Sequence, residues 1–194
     1  MKTFLKIVGG FFLLMIVIGT IADNGDKAKS QQNSTTQQAQ IAANTQEMVI
    51  NLKSFYPKII ALSDPADKAL EKSFKVAQGG DSFATYASFK NDTLPLVEAA
   101  ELQFDSLKNA VPQLSSKDDM DKIKDGLNDL STAYYAKKDA IKSLLDGIDN
   151  DKISAVNEGI QKMKESQKIA ISGMVKILGI YDAYGIDTVK LTTK

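Results

Sequence analysis

Lys137 and Gln167 interrupt two apolar seams in the second half of the chain, and Thr45 and Thr93 hold seam positions in the first half. An ammonium, an amide and two hydroxyls meeting inside a helical bundle would form a polar layer able to hold a small polar ligand, because bundle sites are built from side chains on facing helices. The same residues also suit a plainer role. A seam lysine bends its ammonium to the surface, and a single polar seam residue fixes register.

Three acidic groupings could in principle carry chemistry of their own. Asp146, Asp149, Asn150 and Asp151 offer closely spaced oxygens, which is what calcium requires. They lack the alternating ligands, central glycine and closing glutamate of a helix-loop-helix calcium site, so the spacing predicts a capped, solvated turn and no metal. Glu98 and Glu101 lie three residues apart on one helix, whereas carboxylate pairs that hydrolyse glycosides face each other across a cleft. Asp118, Asp119, Asp121 and Asp125 read as charges matched to a helix dipole. Tyr181 and Tyr184 are candidate membrane-interface residues near the end of the last helix, with a core cap, hydroxyls in water, as the alternative.

Composition removes much other chemistry. The chain has no cysteine, histidine, tryptophan or arginine, so every positive side chain is a lysine. Disulfides, zinc or haem sites built on Cys and His, and Ser-His or Cys-His nucleophile pairs are excluded. No phosphate-binding loop, nucleophile elbow or dinucleotide fingerprint is present. The expectation is a protein that is not an enzyme and carries no cofactor. Lys+Arg and Asp+Glu balance at 24 each, and with Lys2 and Lys6 set aside the rest carries −2. Nothing in that balance favours nucleic acid as a partner.

Met1, Lys2 and Lys6 precede an uncharged apolar run from Ile7 to Ala22. Counted from Thr3, with Lys6 snorkelling, a helix here rises ~30 Å, the thickness of a hydrocarbon core. Residues 1–22 therefore read as a single-pass membrane anchor, with residues 3–22 in the bilayer, or as a signal peptide cleaved near Ala22. No cysteine follows the run, which excludes a lipoprotein. The lysines before it place the remainder outside the cytoplasm, at the cell membrane if anchored and secreted or periplasmic if cleaved.

Residues 23–40 form a polar stalk rich in Gln, Ser and Thr, or a stretch whose second half is already helix, with residues 41–186 a bundle domain and residues 187–194 a tail. Within the bundle, Ile41, Thr45, Met48, Leu52, Phe55, Ile59 and Leu62 step by four and three, as a helix seam does. Pro57 should kink or split that helix, and Asp64-Pro65 should open a new one ending at Gly79-Gly80. Asp81 caps a short piece carrying Phe83, Tyr86 and Phe89, three rings outside the seams. A longer helix follows Asn91-Asp92, with Thr93, Val97, Ala100, Phe104, Leu107, Val111 and Leu114 in register until Pro112.

Ser116 begins a capping box ahead of a seam running from Met120 to Ile148, and a last helix carries Ile153 to Tyr184. No segment alternates as a strand does. The fold class is all-α: an antiparallel four-helix bundle with one or two short connecting helices, preceded by the membrane helix or signal peptide.

The leading functional expectation is a membrane-tethered extracytoplasmic bundle acting as a non-catalytic protein-interaction or envelope-assembly module, with a protein partner or a second copy of itself. The alternative is a small-ligand-binding or sensory bundle that signals through a partner.

Overall fold

The computed structural model describes residues 35–192, with side chains from residue 45. The apolar N-terminal run, the cleavage position near Ala22 and the start of the polar stretch lie outside the described residues. Among the described residues the chain is all-helical, and no helix is long and apolar enough to cross a membrane.

Helix α1 (Thr35–Gln78) passes through both Pro57 and Pro65. The expected split at Pro57 and new start at Asp64-Pro65 are therefore corrected: one helix spans both. The second half of the polar stretch is also helix from Thr35 on. Each interior proline costs about 3 kcal/mol. Against that, Leu52, Phe55, Ile59, Leu70 and Phe74 are buried on one face of α1, each contributing about 1.5–3 kcal/mol. Both prolines sit on the exposed side, so the carbonyls they leave without a donor, those of Lys53 and Ala61, lie on residues that face water.

Gly80, at φ 83°, takes the left-handed conformation that stops α1. Asp81 then accepts a bond from the Ala84 N–H (3.0 Å) and starts α2 (Ser82–Ala87). Where a break was expected at Asn91-Asp92, the chain instead continues through a wide π-helical turn, Ser88–Thr93, into α3 (Leu94–Leu107). Pro95 explains the widening. It cannot donate to the Asn91 carbonyl and its ring crowds that oxygen, while the Leu94 N–H reaches back to Phe89.

Helix α3 gives way to a 3-10 turn at Lys108–Ala110, earlier than the expected stop at Pro112. Val111, the residue before that proline, is forced extended (φ −58°, ψ 128°). Ser116 caps α4 (Lys117–Asp149), accepting from the Asp119 N–H at 3.2 Å, as the capping box requires. Asp151, at φ 50°, turns the chain into α5 (Ile153–Ala183), and a closing turn, Val189–Thr192, packs back on α1.

The long helices alternate in direction. On α4 and α5, Gly126 meets Gly173 and Ile177 while Gly159 meets Ala140 and Leu144, an antiparallel hairpin. Glu101 of α3 and Lys108 of the 3-10 turn that follows it bond Lys138 and Asn128 of α4, again antiparallel. Met48, Ser63 and Asp67 of α1 meet Ser115, Tyr134 and Lys137, so α1 runs alongside α4 in the same sense. The α4–α5 hairpin is the tightest pair, for a reason the glycines show. A Cβ on Gly126 would stand 2.7 Å from the Gly173 carbonyl oxygen, and one on Gly173 would stand 2.6 Å from the Gly126 oxygen. Helix α1 stays farther out from this hairpin and touches it through long side chains.

Candidate functional site

Lys137 lies on the inner face of α4, its side chain 8% exposed, because it occupies a seam position between Tyr134 and Ile141. Its ammonium does not snorkel to open water. It donates to Asp67 of α1 at 2.6 Å and sits 4.0 Å from the centroid of the Tyr134 ring, an arrangement in which a carboxylate and a π face replace lost hydration. Asp67 is half exposed, which leaves the pair partly screened. The Tyr134 ring packs on Phe104 of α3 (5.3 Å), and its hydroxyl donates to the Ser63 carbonyl of α1 (3.4 Å). Burial, with the Asp67 carboxylate adding to it, pushes the Tyr134 hydroxyl far above the ordinary tyrosine range.

Thr93 anchors a second polar cluster. The Ser73 hydroxyl lies 2.7 Å from that of Ser88 and 2.7 Å from that of Thr93, which itself donates to the Ala69 carbonyl (3.1 Å). All three hydroxyl residues are buried, and they tie α1 to both ends of the wide turn. Asp67 and Ala69 are two residues apart, about 200° around a helix, so the two clusters face different neighbours.

The four residues expected to share a polar layer are thus distributed. Lys137 and Thr93 belong to separate clusters, Thr45 is exposed near the start of α1, and Gln167 is half-buried on α5. Sequence reading missed Asp67, Ser73 and Ser88. Ser73 carried a legible signal, since it continues the 4-3 step of Ala66, Leu70 and Ala77. Asp67 carried none, because its partner is 70 residues away.

Tyr181 is fully buried. Its hydroxyl points inward rather than into water, donating to the Leu52 carbonyl of α1 (2.9 Å), and its ring tilts against Tyr56 at 5.2 Å. Burial raises this hydroxyl's pKa as well, helped by Tyr56. Tyr184 is half-buried, with its hydroxyl 3.4 Å from an Asp119 carboxylate oxygen.

The acidic groupings are also accounted for. Glu101 pairs with Lys138 (2.6 Å) and Glu98 with Lys142 (3.6 Å), so the two glutamates face lysines of α4 instead of each other. At the hairpin turn the Asn150 amide donates to Asp146 (2.7 Å) and Lys152 stands 3.6 Å from the same carboxylate. No group of three acidic side chains able to hold a metal occurs among the described residues. Nor does any buried side-chain nitrogen or oxygen there lack a partner. The chemistry of both clusters is spent on joining α1 to the rest of the bundle.

No known protein family, no curated protein and no solved structure matches the chain. What the described residues define is a class: an all-α, bundle-like protein whose interior polar groups are paired within the fold.

Proposed function

We propose that this protein is a membrane-tethered, extracytoplasmic helical bundle that works without catalysis, as a protein-interaction or envelope-assembly module. The observation that carries the reading is the uncharged apolar run Ile7 to Ala22 behind Lys2 and Lys6, which leads through a short polar stretch into α1. The interior is in keeping with it, because Lys137 is engaged with Asp67 and Thr93 with Ser73, contacts that serve the packing of α1. Several large apolar side chains remain outside, among them Phe83 (83% exposed), Leu102 (68%) and Val175 (62%).

The test is expression of the full chain with a C-terminal tag in a bacterial host, followed by alkaline washing of the membranes and protease treatment of intact spheroplasts. The anchored form stays in the washed membranes, and external protease digests its bundle. A chain shortened by about 22 residues and free in the periplasm establishes the secreted form instead. Recovery in the cytoplasm would sink both. Native mass spectrometry of the same material separates functions: a stoichiometric small-molecule adduct would replace the interaction module with the ligand-binding alternative.

A further inference from the structure

The docking of α1 is uneven along its length. Its C-terminal half is held near its backbone: Ala66 and Ala77 are fully buried, Thr93 bonds the Ala69 carbonyl, and Ser73 bonds both ends of the wide turn. Its N-terminal half is held by Tyr181 and the closing turn from the far end of the chain, and by the Ser115 N–H on the Met48 sulfur. The Tyr181 hydroxyl donates to the Leu52 carbonyl, the Tyr181 and Tyr56 rings meet tilted at 5.2 Å, and the closing turn Val189–Thr192 packs on α1. Toward the start of α1, Gln46 and Glu47 are exposed. Pro57 lies at the boundary between the halves, where one rung of the helical ladder is missing.

We propose that residues 45–56 of α1 are a lever hinged at Pro57 and latched by residues 181–191, with the α4–α5 hairpin as the fixed frame. Opening breaks few backbone contacts, since this half of α1 meets the hairpin through side chains, and it uncovers Leu52, Phe55, Tyr56 and the facing Tyr181. A pull or a partner acting on the N-terminal end of α1 would therefore expose an apolar surface at the opposite end of the sequence. The inference stands on the packing of residues 45–192 and holds whether the chain is anchored or secreted.

Hydrogen exchange read by mass spectrometry on the full chain in mild detergent tests it. In the unaltered protein, amides of 45–56 should exchange about tenfold or more faster than those of 123–145 and 156–177, as a local opening requires. Tyr181→Phe keeps the ring and removes one hydrogen bond, and should speed exchange in 45–56 about fivefold while leaving the hairpin unchanged. Deleting residues 187–194 provides a second release of the latch, with the same selective effect. Selective acceleration in either variant supports the lever. Equal protection of 45–56 and the hairpin in the unaltered chain would overturn it, and so would acceleration in both variants spread evenly over all helices.

Discussion

Lys137 brings a charge into the bundle, and Asp67 is the carboxylate that answers it at 2.6 Å. Removing the answer should hurt more than removing the charge. Asp67→Asn leaves a mostly buried ammonium without its counter-ion and should cost about 1–3 kcal/mol, the half-exposed carboxylate keeping it below the cost of breaking a fully buried pair. Lys137→Met keeps the stem and discards the charge, and should cost less than about 1 kcal/mol. Urea unfolding of both variants gives the comparison, and the reverse order would mean that the pair itself is strongly favourable. Tyrosines give a pH dependence. Burial holds the hydroxyls of Tyr134, Tyr181 and Tyr56 above their ordinary value. A raised acid keeps its proton longer when folded than when unfolded, so its contribution is complete below about pH 10, the unfolded value, and is lost as pH rises through the folded value. Stability should therefore decline above about pH 10 as these groups ionise in the unfolded chain. In an alkaline titration followed by tyrosinate absorbance, part of the signal should appear only together with loss of helical circular dichroism.

Between helices, the glycines give the sharpest contrast. Gly126→Ala and Gly173→Ala drive a Cβ against a facing carbonyl at 2.7 and 2.6 Å, so each should destabilise by about 1–3 kcal/mol. Gly179→Ala on the same α5 meets nothing within 4 Å and should stabilise by about 0.5–1 kcal/mol through helix propensity alone. Thermal unfolding followed by circular dichroism measures all three; equal effects would remove close helix approach as the explanation. The role of these glycines is not legible in the sequence. There Gly126 is only a weak helix former, and what makes it necessary is Gly173, far along the chain on another helix. The seams are legible, because periodicity is local: Ile123, Leu127, Leu130, Ile141 and Leu144 are buried where their spacing puts them. Local rules fail at Pro57 and Pro65, where they say break and the buried face of α1 says continue. Phe89 departs from expectation for a related reason. By spacing it belongs with exposed Phe83 outside the seams, yet it is 1% exposed and packs edge-on against Phe74 at 5.2 Å, a contact the wide turn creates.

Across the described residues, the large apolar side chains left outside are scattered over all five helices and the closing turn, and Phe83 is the most exposed of them. Phe83→Ser should leave the midpoint of thermal unfolding unchanged, and if Phe83 belongs to an interface between copies it should lower the mass seen by light scattering at high concentration. The bundle's layout also sets an order of events in time. Helices α4 and α5 are joined by a tight turn and can zip together as soon as both have been made, with little chain entropy to lose. Helix α1 is synthesised before either, yet its N-terminal half cannot close until Tyr181, 129 positions later, arrives to meet Leu52. Substitutions at Gly126 or Leu144 should therefore slow refolding, while Tyr181→Phe should mainly hasten unfolding. Of the described helices, α1 is the first to be made, and its N-terminal half is the last to find its place.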